Sequence, residues 1–182
     1  MEIFLTVVLI IAAIIAAYIT VATNTVKIKK IPVSSPKIPT EFDGVKIALL
    51  SDLHDAKLSG YSKKKLLEKT AEIKPDFIFL GGDMHQIRKK DKKFFSLLDD
   101  LKKIAPLYYV DGNHDARLKK YPDYKNYLSE LEKRAENLHG KTSLCIGNAK
   151  IDLYGCGYFE YKKDMFDFDK NRFSVFLYHS PF

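Results

Sequence analysis

The chain predicts an α/β domain built on a parallel sheet, set behind a single apolar helix. Short apolar runs of strand character alternate with stretches of helical character, the pattern of βαβ units. Four of those runs stop at Asp, Asn or His, at Asp52-Leu53-His54, Gly82-Asp83, Gly112-Asn113-His114-Asp115 and His179. Ahead of them, Ile3 to Val21 carries no charge.

The amino-terminal run is apolar except for Thr6, Tyr18 and Thr20. As a helix it would extend roughly 28 Å, close to a bilayer core, so residues 1–24 are expected to form a transmembrane anchor. A cleaved signal peptide is the competing reading, but only Met1 and Glu2 precede the run and no basic residue does. Lys27, Lys29, Lys30 and Lys37 follow it. The positive-inside rule then expects a single-pass protein of the cell membrane with its domain on the cytoplasmic side, the extracytoplasmic side being the alternative. Pro32, Pro36 and Pro39 exclude regular helix or a central strand, which makes 25–41 an extended linker. Asp43-Gly44 turns the chain into a domain spanning 42–182.

Within that domain, Val45–Leu50, Phe77–Leu80, Leu107–Val110 and Phe173–Tyr178 are nearly continuous in hydrophobicity, as strands covered on both faces are. Helices are expected over about 62–73, 91–104 and 124–138, with Pro75 and Pro106 marking returns to strand and His139-Gly140 suiting a helix end. Ser143–Ile146 and Ala149–Tyr154 around Gly147-Asn148 predict a hairpin.

A length of 182 residues with 46% hydrophobic content supports one domain with a core plus a short appendage. A net charge of +7 favours anionic partners: phosphorylated substrates, acidic lipids or nucleic acid. Nucleic acid is disfavoured, because no aromatic-interleaved basic motif or zinc-finger spacing is present. The lysine clusters at 63–65, 89–93, 102–103 and 119–120 fall on or near expected helices and predict solvated faces, with anionic headgroups as the alternative. Cys145 and Cys156 match no zinc spacing, and two buried or half-buried thiols are favoured over a disulfide.

The strand-end polar residues carry the chemistry. Polar groups at the carboxyl edge of an open α/β sheet stand where such sheets bind ligands. In Asp-x-His the two side chains share a face of the strand, so Asp52 and His54 can grip one cation. Asp83 adds a carboxylate able to bridge two cations, and Gly81-Gly82 let the backbone approach closely. Asn113 offers an amide oxygen, His114 a proton-transfer group, Asp115 a carboxylate that can orient that imidazole, and His179 a further nitrogen. A lone strand-end His85 is expected to be partly exposed.

Ser51-Asp52-Leu53-His54, Gly81-Gly82-Asp83, Gly112-Asn113-His114-Asp115 and Tyr178-His179-Ser180-Pro181, in that order, resemble the calcineurin-like metallophosphoesterases, particularly small membrane-associated bacterial members. The resemblance implies a β-sandwich flanked by helices and two divalent cations, Mn, Fe or Zn. It implies that Asp52 and His54 hold the first metal, that Asp83 bridges, and that Asn113 and His179 hold the second. His114 would stand beside the scissile phosphate. The implied activity is hydrolysis of a phosphodiester, pyrophosphate or phosphomonoester, in which a metal-bridging hydroxide attacks phosphorus. A lipid or envelope precursor fits the anchor and the basic charge as substrate.

The sequence departs from the family pattern twice. No Gly-His-x-His precedes Phe182, so the chain reads as the amino-terminal part of such an enzyme, and Gln86 stands where an Asp is usual. The alternative is a truncated, inactive pseudo-phosphoesterase acting as a membrane-tethered binding module.

Overall fold

A computed structural model describes residues 1–54, 60–85, 91–162 and 164–180, with only the backbone at 2 and 19–24. Gln86, Lys89, Lys90 and Pro181 lie outside the described residues.

Helix α1 runs Glu2–Asn24, and the apolar side chains described on it, Ile3, Phe4 and Leu9 among them, are exposed. Among the described residues no helix is long and apolar enough to cross a membrane. The described stretch 3–18 measures about 24 Å as helix, short of a bilayer core of about 30 Å, and the rest of the expected span lies where side chains are not described.

The domain has three layers. Strands β1 (Ile47–Leu50), β2 (Phe77–Leu80), β3 (Leu107–Tyr109) and β4 (Glu136–Asn137) form a parallel sheet in that order. Helices α2 (Gly60–Ile73), α3 (Asp91–Lys102) and α4 (Tyr124–Glu132) connect them and cover one face. Strands β5 (Gly140–Ile146), β6 (Ala149–Gly155) and β7 (Ser174–Leu177) form a second sheet, β5 antiparallel and β7 parallel to β6.

Alternation along the strands sorts the two cores. Ile78, Leu80 and Tyr109 face the helices and pack with Leu66, Phe94, Leu97, Leu98, Leu101 and Leu131. Phe77, Phe79 and Tyr108 face the second sheet and pack with Leu144, Ile151, Leu153 and Leu177. With both faces covered, β2 is buried at every residue, which explains its unbroken apolar run. The expected α/β fold with a parallel sheet and flanking helices is therefore present.

Four local readings are corrected. The helix expected over 124–138 ends at Glu132, and Glu136–Leu138 instead joins the sheet, where the Leu138 amide donates to the Tyr109 carbonyl. His139-Gly140 is accordingly a corner between strands. His85 is fully buried, its ring stacked on Phe94 at 5.0 Å and its Nε2 2.6 Å from Asp91 Oδ1. Both cysteines are free as expected, but only Cys156 is buried; Cys145, on β5 opposite Lys150, is exposed rather than buried or half-buried. Several clustered lysines pair with acids, Lys63 with Asp100 and Lys65 with Glu68, as solvated helix faces do.

Candidate metal centre

The site is assembled where β1, β2 and β3 end. Pairing continues past the strands: Gly81 N donates to Leu50 O, Asp52 N to Gly82 O, and His54 N to Asp83 O. The residues thus held together are strained. Among the described residues five non-glycine positions have left-handed backbone, and three of these are Asp52 (φ 56°), His54 (φ 44°) and Asp83 (φ 52°). Such conformations persist where surrounding bonds over-determine them, and they cluster at functional sites.

Two glycines permit the close approach. A Cβ on Gly82, at φ 90°, would lie 2.6 Å from Gly112 N and 2.7 Å from His179 Nδ1. A Cβ on Gly112 would lie 2.1 Å from Asp83 Oδ1. No larger residue fits either position without moving the backbone.

Asp83 is the hub. Only 3% exposed, it accepts the His114 amide on Oδ1 at 2.8 Å. Its Oδ2 faces three imidazoles, with Nε2 of His179 at 3.5 Å, of His54 at 3.8 Å and of His114 at 3.9 Å. Asp52 Oδ1 is 3.7 Å from His54 Nε2. These separations exceed those of hydrogen bonds. Two ligands each about 2.1 Å from a tetrahedral cation stand about 3.4 Å apart, so the spacing fits atoms that share a metal.

Two overlapping groups have ligand atoms within 4.8 Å of one another: His54, Asp83 and His114, and Asp52, Asp83 and His179. The donor chemistry agrees, since mixed carboxylate and imidazole ligands suit Mn, Fe or Zn. The His179 tautomer is also fixed. Its Nδ1 lies 2.9 Å from the Gly81 carbonyl, which can only accept, so Nδ1 carries the proton and Nε2 keeps its lone pair for a metal.

The structure thus brings together Asp52, His54, Asp83, His114 and His179, with Asn113 half-buried beside His114. His114 sits among candidate ligands as well as beside them. Asp115 is placed differently from the expectation that it orients His114. It is 2% exposed and accepts the amides of Asp83, His85 and Gly112, tying the ends of β2 and β3 together. Burial pushes its carboxyl up to about 6, although the Gly112 and His85 amides pull it down, while the charge of nearby Asp111 raises it further.

A second group, missed in the sequence, braces the site. Lys119 Nζ, on the 3-10 helix Asp115–Lys120 that follows His114, lies 3.4 Å from buried Asp111 Oδ2 and 3.1 Å from Glu160 Oε1. Glu160 Oε2 also takes His139 Nδ1 at 2.7 Å and the Gly157 amide at 3.1 Å. Tyr158, held by its amide to Asp111 O, sets its ring edge-on to His179 at 5.9 Å. Asp111 was detectable as an acid directly preceding Gly-Asn-His. Glu160 gives no local signal, because its side-chain partners, His139 and Lys119, lie 21 and 41 residues away.

A helix-covered parallel sheet carrying a carboxylate and imidazole cluster at its carboxyl edge presents a candidate divalent-metal site. The calcineurin-like phosphoesterase family model matches residues 45–181, and the chain belongs to that family. A transmembrane protein with metallophosphoesterase domain from Danio rerio is 29% identical over 150 residues, covering 79% of this chain and 32% of that protein. An uncharacterized metallophosphoesterase from Helicobacter pylori is 27% identical over 169 residues, 85% of this chain and 43% of that protein. The chain spans less than half the length of either relative. A phosphopantetheinyl hydrolase structure from Mycobacterium tuberculosis aligns at TM-score 0.40 and 17% identity, over 60% of this chain and 41% of that one.

Proposed function

We propose that the chain is a divalent-metal-dependent phosphoric ester hydrolase attached to the cell membrane through residues 1–24, its domain on the cytoplasmic side. Its substrate would be a phosphodiester, pyrophosphate or phosphomonoester of a lipid or envelope precursor. The observation that carries the hydrolytic reading is the convergence of three imidazole nitrogens on Asp83 Oδ2 at 3.5–3.9 Å.

Asp52, His54, Asp83, Asn113 and His179 would hold the cations. Bound there, Mn, Fe or Zn would polarise phosphoryl oxygens and lower the pKa of water. His114 retains an imidazole with 31% exposure, and its amide is fixed to Asp83, so the hub carboxylate also places the group that donates a proton to the leaving oxygen. Asp115 acts at one remove, by holding the amides of Asp83 and Gly112.

Membrane attachment draws support from the exposed apolar side chains of α1 and from Lys27, Lys29 and Lys30 just past it, each worth about 1 kcal/mol near an anionic surface. The test of the hydrolytic reading is hydrolysis of bis-p-nitrophenyl phosphate by the full chain in detergent, with and without Mn²⁺, beside Asp83→Asn. Turnover requiring both Mn²⁺ and Asp83 is the expected result. A folded chain that binds Mn²⁺ without turnover would instead identify a binding module.

A further inference from the structure

A cleft of about 700 Å³ lies at the outer edge of the parallel sheet, between β1, α2 and the linker that leaves α1. β1 is the last strand on that side, and residues 25–35 pass it without forming a strand of their own. Val26 holds the linker in place by packing against the helix-side core. The cleft is thus a gap between a sheet edge and a segment that runs beside it.

Its lining combines two chemistries. Ile28 and Ile31 contribute from the linker, Ile47 and Leu49 from β1, and Leu66 and Ile73 from α2. Ile31 is 71% exposed and Leu49 62%, so part of this apolar lining stands open to solvent. Lys27, Lys29, Lys30, Lys46 and Lys69 line the same cleft against one acid, Glu72, whose carboxylate is 2.6 Å from Lys69 Nζ. Four lysines are left with no acid on the lining to balance them.

A cavity of this volume with apolar walls suits a small-molecule ligand. The surplus of positive charge favours an anionic one. An exposed apolar lining and an anionic preference together describe an amphiphile with an acidic head. A peptide strand added to β1 would use the free edge but not the charge.

We propose that this cleft binds one anionic phospholipid, with an acyl chain along Ile47 and Leu49 and the phosphate among Lys27, Lys29, Lys30 and Lys46. The linker lysines then do more than draw the chain toward a negative surface. With β1 and α2 they form a receptor that selects a headgroup. None of the candidate metal ligands lines the cleft, so the proposal stands without the hydrolytic reading.

The chain contains no tryptophan, so one introduced residue reports alone. The full-length chain in uncharged detergent would carry Leu49→Trp, with Ile28→Trp as a second reporter and Phe159→Trp, outside the cleft, as the reference. Phosphatidylglycerol brominated on its acyl chains is added at low mole fraction, with brominated phosphatidylcholine as a parallel series. The brominated phosphatidylglycerol is expected to cut emission of both cleft reporters roughly twofold, because such a cavity encloses its occupant, and to leave the reference unchanged. Lys29→Gln combined with Lys30→Gln should raise the lipid concentration for half quenching roughly 30-fold, about fivefold for each lysine. Cleft reporters that ignore bromine, in chains whose circular dichroism matches the parent, would overturn the proposal. Equal quenching by phosphatidylcholine would overturn it as well, since the lysines would then select nothing. So would inorganic phosphate that reverses quenching as readily as unbrominated phosphatidylglycerol, which would assign the cleft to a free anion. The readout needs no turnover, so an inactive chain can satisfy it and an active one can fail it.

Discussion

Adding one methyl group at Gly112 should disable the centre without replacing any candidate ligand. In Gly112→Ala the new carbon would sit 2.1 Å from Asp83 Oδ1 and 2.4 Å from Asp83 N, against ordinary contacts of 3.4 Å or more, so something must move by over 1 Å. The carboxylate cannot swing away freely, because Oδ1 accepts the His114 amide and Oδ2 faces three imidazoles. The backbone cannot yield freely either, because Asp115 holds the amides of both Asp83 and Gly112. Overpacking of this kind costs about 1–3 kcal/mol. In a domain of this size that lowers Tm by roughly 2–12 °C. Displacing a catalytic group by about 1 Å costs about 10²-fold in rate. The assay is thermal unfolding with and without Mn²⁺, paired with kcat/KM on bis-p-nitrophenyl phosphate. A variant that melts like the parent and gains the same stability from Mn²⁺ would refute the close packing of Gly112 on Asp83.

Two predictions concern pH and the groups behind the ligands. The folded-state value of Asp115, about 6, lies above the ordinary carboxylate value, so the native state holds the extra proton between about pH 4 and 6 and stability from this group falls as pH rises through that window. Asp115→Asn cannot titrate, and urea melts of the metal-free chain should lose that slope; an unchanged slope would assign it elsewhere. The same variant should lose about 1.5–3 kcal/mol, because an amide NH₂ would face backbone N–H donors. Glu160 shifts the other way: partial burial raises it, but hydrogen bonds from His139, Lys119 and the Gly157 amide prevail and hold it down to about 2. Its contribution is full above about pH 4.5 and fades as pH falls toward 2, so Glu160→Gln should flatten stability across that acid range. Hydrogen exchange at the Tyr158 amide should quicken in the same variant, and unaltered exchange would show that the Glu160 contacts do not hold the loop.

Much of this was legible because covered strands announce themselves. Phe77–Leu80 is apolar throughout since both faces are buried, and each strand's end is marked by the polar residue that follows. What escaped depended on distant partners. Glu136 and Asn137 extend a helical pattern in sequence, yet two residues suffice to pair with Tyr108 and Tyr109. His85 looks like a surface residue until Phe94 stacks on it. Adjacency suggested that Asp115 serves His114, whereas its carboxylate reaches amides about 30 residues back.

His179 arrives from the end of β7, while the other candidate ligands come from the ends of β1, β2 and β3. The centre therefore straddles the seam between the two sheets, which also meet through apolar packing and loop contacts. A cation gripped there would work as a rivet between layers. Sliding one sheet along the other by a single residue, about 3.3 Å, would withdraw His179 from Asp83. Chelation should then be felt furthest from the chemistry, in the β5–β6 hairpin, whose amides would exchange faster once the rivet is drawn.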